Sequence, residues 1–549
     1  MLQREPPVAV AKALVLVVWG VVPLSWAYVL FYVFVRALSS ANTHELLRHI
    51  VQGTLPAAVE RHPPLALLVR SRGCFAYAAL EVLFSLYYRY LKWRVQSPKV
   101  VSKATRPYIV RAITDTVQDG MNEHDHDSDE IMKPNPNENE MPTPTRKLDY
   151  DDPRAITFRR EMLGWFIGLL PGQVTKHDLR EWMSWALFGE YYEDLLEEDA
   201  AQVRKDGANA TESRRLDFVD DAVRLFAARS GLDDFPQYVK LEPSQERAKW
   251  TMLLSLDPVR VSVRPLAMYI VVRALNELAR FIWRKRYGME LLQYGSVQYL
   301  LYMPPGWRAE AAAKGEMPLP VLFLHGLGLG MIEYAQVVWT LCARPRPVLI
   351  PLQPWTSYDL FSERFLRPWH MRESAELVRG MLKRHGLYEC GVSVLSHSMG
   401  TILHSWLLKE MPGPIRRSFF VDPVCFQMWA PHLCYRFLYK RAHSFIEYML
   451  RYFVAREVGT ANVLTRNFEW SENSLFLECL PHRTDPNRTR VYLAGWDTVV
   501  DAPALLRFLR RHGMGPVVEY AERAHHGAFV MGPHQCLPRI VRDLDAPLK

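Results

Sequence analysis

The pattern of apolar and polar positions divides the chain into four stretches of different texture. The first is apolar. Ala13–Val35 contains no charged residue and is bracketed by Lys12 and Arg36. At about 1.5 Å per helical residue such a run covers a hydrocarbon core of roughly 30 Å, which predicts a transmembrane helix over 13–35. Trp19, Trp26, Tyr28 and Tyr32 are interspersed, and Pro23 is tolerable in a membrane helix. A cleaved signal peptide is the rival reading, with the sequence ALSSA after Arg36 as its cleavage site, but its apolar core would be shorter. A second apolar stretch, 74–91, contains Glu81 and Arg89. It reads as a second membrane helix, as a helix lying in the interface, or as a soluble core helix. Residues 1–113 are therefore a membrane-anchoring region with one or two passes.

The second stretch, 114–152, is acidic and rich in Asn and Pro, and it predicts a disordered linker because it cannot bury enough apolar area to order itself. His124 and His126 alternate there with aspartates, which reads as solvated linker before it reads as a metal site. The third stretch, 153–295, is helical: Phe158, Met162, Trp165, Phe166 and Leu169 recur at three- and four-residue steps. Gly207 and Gly231 punctuate it. Leu266–Trp283 is long and apolar, but Arg273, Glu277 and Arg280 at helical steps mark a charged stripe on a packed helix, not a membrane span. This region predicts a helical layer or cap.

The fourth stretch, 296–549, alternates short apolar runs with amphipathic ones, which predicts a mainly parallel sheet flanked by helices. The predicted strands are Val297–Met303, Val321–Leu324, Val348–Leu352, Val392–Leu395, Ser418–Val421, Arg490–Ala494 and Val517–Ala521.

Composition changes this picture little. Apolar residues make up 49% and aromatic residues 12% of 549, enough for a large interior, and a chain of this length holds more than one structural unit. The net charge of +8 raises nucleic acid as a partner. No finger, RNP or basic-zipper pattern supports that. Arg89, Lys92, Arg94, Lys99, Lys103 and Arg106 instead follow an apolar stretch with no acid among them, as at anionic lipid headgroups. By the positive-inside rule that cluster favours a cytosolic face, although Arg36, Arg48, Arg61, Arg70 and Arg72 lie on the other side. An intracellular membrane and lipid partners follow. The seven cysteines form no CxxC pair and are odd in number, as expected for free thiols in a reducing compartment. Asn209 and Asn487 head sequons that are common by chance.

The chemistry lies in four motifs of the last stretch. In Val392–Leu408, "VSVLSHSMGTILHSWLL", a β-rich run enters Ser396-His397-Ser398-Met399-Gly400 and a helical pattern follows. This is a nucleophile-elbow arrangement: the tight turn demands small residues two before and two after Ser398, and it points the Met399 amide at a developing oxyanion. Ser396 stands where glycine is usual. In Pro320–Gly330, "PVLFLHGLGLG", a strand ends in His325-Gly326-Leu327-Gly328, and the Leu327 amide is the second candidate oxyanion donor. The glycines also allow a phosphate-binding turn, but neither Rossmann spacing nor a Walker lysine accompanies them. A serine needs a base, and the base needs an orienting carboxylate. Asp497, after the strand "RVYLAG", is the preferred acid; Asp501 and Asp422 are alternatives. His526 is the preferred base and His525 the alternate.

Taken in the order serine, acid, histidine at strand ends, these motifs resemble the α/β-hydrolase superfamily over about 296–545. Val421–Phe426, "VDPVCF", and Glu181–Phe188, "EWMSWALF", are similar to its eukaryotic membrane-associated members. The resemblance implies an eight-stranded sheet, an acyl-enzyme mechanism and no metal or organic cofactor. It places a lid insertion at about 425–489, rich in aromatic residues, over an apolar acyl pocket. The expected function is a membrane-anchored serine esterase or lipase. Acyl transfer to another acceptor and a non-catalytic membrane scaffold are the alternatives.

Overall fold

The structure, a computed structural model, describes residues 5–37, 71–97, 106–118, 132–133, 141–144, 146–206, 215–532 and 536–547. The ALSSA sequence beyond Ala37, Arg48, Arg61, Arg70, Lys99, Lys103, the His124/His126 pair, Gly207 and the Asn209 sequon lie outside these residues.

Helix α1 (Val8–Ala37) has 30 residues and Pro23 inside it. Among the described residues it is the one helix long and apolar enough to cross a membrane. Helix α2 (Arg72–Arg94) pairs with it: the Phe75 ring stacks on Tyr32 with centroids 4.0 Å apart, and the Trp26 indole donates to Ser85 Oγ at 2.8 Å. The stretch 74–91 is held against the rest of the protein from its middle onward. Glu81, fully buried, accepts from the Leu266 amide at 2.8 Å and the Ala267 amide at 3.0 Å. These amides open helix α3 (Leu266–Tyr287), whose preceding residue Pro265 supplies no side-chain cap. Glu81 is thus a cap contributed from another helix, satisfying orphan donors and favoured by the helix dipole. Tyr88 donates to Ser262 O, and Arg466 donates to Val95 O and Gln96 O. These bonds fix α2 against the body of the protein.

The linker prediction for 114–152 is corrected at both ends. A helix, Arg106–Gln118, runs into it, and Ile113 and Val117 join the main core. Its Thr114 and Thr116 hydroxyls bond back to Val110 O and Ala112 O, so polar side chains that suggest a loop are absorbed within the helix. At the other end Leu148 is buried and its amide donates to Ala228 O.

The sheet has eight strands: β1 (Glu290–Tyr294), β2 (Val297–Tyr302), β3 (Val321–Leu324), β4 (Val348–Pro351), β5 (Val392–His397), β6 (Ile415–Val421), β7 (Thr489–Ala494) and β8 (Val518–Ala521). Their spatial order is β8-β7-β6-β5-β3-β4-β2-β1. β2 runs antiparallel to both β1 and β4, and the remaining pairs are parallel. The sequence boundary at 296 is therefore too late, since β1 begins at Glu290. As an edge strand with Glu290, Leu291 and Gln293 exposed, it lacks the buried run that reveals β2 to β7.

Helix α4 (Gly400–Glu410) follows β5, and the insertion between β6 and β7 carries the short helix α5 (Phe445–Met449). One apolar core unites this insertion, the helices between 153 and 229 and one face of the sheet, with Trp165, Trp182 and Trp185 beside Trp429, Trp470 and Val394. The Trp165 indole donates to Trp429 O at 3.0 Å, and the Trp470 indole donates to Ala186 O at 2.8 Å. All seven cysteines are free.

Glu81→Ala leaves two buried helix-terminal amides without an acceptor and is expected to cost about 1–3 kcal/mol. Thermal unfolding of the detergent-solubilised chain measures it, with Glu81→Gln, which keeps an acceptor oxygen, losing less.

Candidate active site

The chain reverses sharply between β5 and α4. Ser398 has φ +50°, a left-handed conformation that a residue with a Cβ rarely adopts. The turn is held by the Ser398 amide on Val421 O at 3.0 Å and the Thr401 hydroxyl on Ser398 O at 2.6 Å. Its neighbours must be small. A Cβ on Gly400 would overlap the carbonyl oxygens of Leu324 and His325, and one on Gly326 would lie 3.0 Å from both Ser398 Cβ and the Tyr334 hydroxyl. Ser396 is accommodated because its hydroxyl is bonded, to His404 Nδ1 at 2.9 Å and Phe419 O at 3.2 Å.

Three of the side chains singled out in the sequence meet here. His526 Nε2 is 2.9 Å from Ser398 Oγ, and its Nδ1 is 2.6 Å from Asp497 Oδ2. The other Asp497 oxygen accepts from the amides of Val499 and Val500 at 2.7 and 2.9 Å, which fixes the carboxylate. The alternates stand elsewhere. Asp501 caps the helix Ala502–Arg511 and pairs with Arg436 at 2.9 Å. His525 packs beside Trp496, with ring centroids 5.5 Å apart. Asp422 is not the orienting acid either, because its oxygens accept from the Ala494 amide at 2.9 Å and the Gly527 amide at 2.7 Å. It ties the end of β7 to the residue following the base.

Asp422, Asp497 and His526 each bring one potential ligand atom within 4.8 Å of the others. Both ring nitrogens of His526 are already directed, one at Asp497 and one at Ser398, so the geometry is that of a proton relay. Burial alone would lower the imidazole pKa. The charge of Asp497, its hydrogen bond and the charge of Asp422 outweigh that and raise it to about 9. Burial pushes Asp422 up to about 6, the His526 charge and the two amides opposing.

The loop after β3 spends most of its amides internally. Gly326 N donates to the Tyr334 hydroxyl, Gly328 N to Thr356 O, and Leu329 N to Glu333 Oε1. The Leu327 amide has no such acceptor, and Leu327 and Met399 line the same cavity as Ser398. His325 supports the turn from beneath: Nδ1 faces Gly326 O at 2.9 Å and Nε2 accepts from Gln353 N at 3.3 Å, while burial lowers its pKa to about 4.

Four supporting residues escape the sequence reading. The Tyr334 hydroxyl, accepting from Gly326, lies 2.8 Å from His397 Nδ1 and ties the loop to the elbow. His397, whose ring is 5.3 Å from that of His526, is held far below the usual imidazole range by burial, with His526 and His325 adding to it, and so is neutral. Burial pushes the Glu333 carboxyl up to about 7, against the Leu329 amide. Asn276 of α3 grips the loop from outside, donating to Leu329 O at 2.7 Å and accepting from Ile332 N at 3.0 Å. His397 sits at a position of the elbow motif that leaves residue type open, and the others lie beyond the motifs, so no short pattern marks them.

Above the serine lies a cavity of about 240 Å³. Leu254, Ile402, Phe437, Ile446, Leu450 and Val454 contribute to its wall, most of them from the insertion. The opposite end of α5 reaches α1, where the Lys12 ammonium lies 5.6 Å from the centre of the Tyr448 ring.

The strand order, the antiparallel second strand and the strained serine between β5 and α4 decide the architecture. The fold is that of an α/β-hydrolase. No protein-family model matches the chain, and no curated protein sequence matches it. Solved structures similar to it include a membrane phospholipase A described as a bacterial virulence factor, 15% identical, covering 51% of this chain and 93% of its own, with TM-score 0.33. Carboxylesterase CesB of Bacillus subtilis is 10% identical, covering 52% and 100%, with TM-score 0.33. Naproxen esterase of Bacillus subtilis is 12% identical, covering 50% and 96%, with TM-score 0.33. The fold assignment rests on the strand order and the elbow, and these likenesses add nothing to it.

Gly400→Ala forces a side chain into the backbone of β3 and is expected to cost more than about 4 kcal/mol. Size-exclusion chromatography checks this, with aggregated Gly400→Ala set against monodisperse Gly413→Ala, whose added Cβ would meet nothing within 4 Å.

Proposed function

We propose that this chain is a membrane-anchored serine hydrolase that cleaves acyl esters of lipids through an acyl-enzyme. One observation carries the reading: the unbroken line of hydrogen bonds Asp497–His526–Ser398, ending at an apolar cavity. Ser398 Oγ attacks the ester carbonyl while His526 Nε2 takes its proton, and Asp497 stabilises the imidazolium that forms. The amides of Leu327 and Met399 receive the oxyanion, and loss of one such donor costs about 3–4 kcal/mol of transition-state stabilisation. Collapse of the tetrahedral intermediate expels the alcohol, which takes the proton from His526. Water, deprotonated by the same imidazole, then attacks the acyl-serine and releases the carboxylic acid.

An apolar wall favours an acyl chain over a polar acyl group. The contact of α1 with α5, which contributes Ile446 to that wall, supports a substrate drawn from the membrane in which α1 is embedded. An intracellular membrane fits the free thiols.

A fluorophosphonate probe is expected to label the wild-type chain and not Ser398→Ala, and ester turnover by Ser398→Ala or His526→Ala should fall at least about 10⁴-fold. Absence of labelling in the native wild type would end this reading.

The raised pKa of His526 makes a second prediction. The base works only when neutral, so kcat/KM rises with pH through the raised value and its acid limb lies above 6.5, the ordinary imidazole value. Asp422→Asn removes a negative charge that favours the protonated ring, so the limb should move to lower pH. A pH–rate profile of the two proteins on a soluble ester measures the shift; a limb that stays in place, or moves up, contradicts the assigned electrostatics.

A further inference from the structure

Three helices packed in series, α1 on α2 and α2 on α3, each leave a stripe of large apolar side chains in the open. On α1 these include Leu16, Val17, Leu24, Leu30 and Phe34. On α2, which packs on α1, Leu80, Leu83, Tyr87 and Tyr90 recur at three- and four-residue steps, with Leu80 at 55% and Leu83 at 62% exposure. On α3, which packs on α2, Val271, Leu275, Leu278 and Ile282 do the same, and Leu278 is 53% exposed. The sequence expectation that α3 is simply a packed helix is thus half right. Tyr269, Val272, Asn276, Ala279 and Trp283 are buried, while the side away from the sheet is apolar and uncovered.

An apolar face running over three helices is far from the scattered exposure of an ordinary surface. We propose that the exposed stripes of α2 and α3 are seated in a phospholipid bilayer beside α1. The proposal rests on the reading of α1 as a membrane span and extends it to the hydrolase domain itself. Continuity with α1 identifies the occupant: the exposed stripes of α2 and α3 carry on the apolar surface of the helix that crosses. The charge pattern agrees. Beside the apolar stripe of α3, Arg273 pairs with Asp359 at 3.5 Å and Arg280 with Glu277 at 3.0 Å, along one edge. The last turn holds Arg284, Lys285 and Arg286, and the last turn of α2 holds Lys92 and Arg94. A helix with apolar, charged and basic-ended faces lies along the headgroup boundary, its cations meeting phosphate.

Such a seat places lipid one helix away from the chemistry. The inner side of α3 presents Asn276 to Leu329 and Ile332 of the loop that supplies the Leu327 amide. A single helix, about 10 Å across, therefore separates hydrocarbon from the oxyanion loop.

The test uses the full chain reconstituted in phosphatidylcholine vesicles, with p-benzoylphenylalanine placed singly at Leu24, Leu83 or Leu278. After irradiation, intact-protein mass spectrometry reads addition of one phosphatidylcholine. Adducts are expected at all three positions. An adduct at Leu24 without one at Leu83 and Leu278 overturns the proposal and leaves the anchor standing. Adducts at none of them overturn the anchor and the proposal together. A covalent dimer at Leu278 in place of a lipid adduct assigns that face to a second copy of the chain and overturns the proposal.

Discussion

The turn at Ser398 is the constraint on which the remainder of the site depends. A non-glycine residue at φ +50° is held only by an environment that over-determines it. Here that environment is the packing of Gly400 against the Leu324 and His325 carbonyls and the bonds of the turn to Val421 and Thr401. The same close approach brings the β3 loop beside β5, and Leu327 and Met399 line one cavity with Ser398. The β6 end is drawn in by Ser398 N on Val421 O, and one residue later Asp422 reaches across to β7 and to Gly527. The base is thereby placed by the sheet as a whole.

Buried polar side chains do the corresponding work outside the site, each satisfying backbone groups of an element distant in sequence. Glu81 caps α3, Asn276 of α3 holds the loop after β3, and Arg466 of the insertion holds the end of α2. Leaving any of them unmet would expose a desolvated donor or acceptor in a dry interior, which is costlier than an absent contact between apolar groups. These bonds run from α2 to the loop beside Ser398 through two side chains.

The legible parts of this protein were those with local causes. Of the seven strands visible in the sequence, six are mostly buried runs and β8 is half-buried, and Ser398, Asp497 and His526 are visible because each follows the end of a strand. β1 is not visible: at the sheet edge, with Glu290 and Gln293 facing solvent, it has no buried run. The helix over 106–118 overruns its expected end because Thr114 and Thr116 bond within the helix instead of breaking it. Glu81 makes 74–91 ambiguous, since a carboxylate in an apolar helix signals polar company without saying whose; the amides of Leu266 and Ala267, more than 180 residues away, answer that. Glu333 and Asn276 are similarly silent, because the partners named for them are backbone atoms that carry no residue code.

Change of texture along the chain is also a poor guide to which parts are separable. The sequence distinguishes a helical region from a sheet domain, yet the Trp165 and Trp470 indoles cross between them and the core is continuous. The insertion between β6 and β7 is sandwiched: one side forms the wall of the cavity above Ser398, and the other buries Trp429 and Trp470 against the helices of 153–295. A lid packed on both sides cannot swing as a free flap without exposing that second interface.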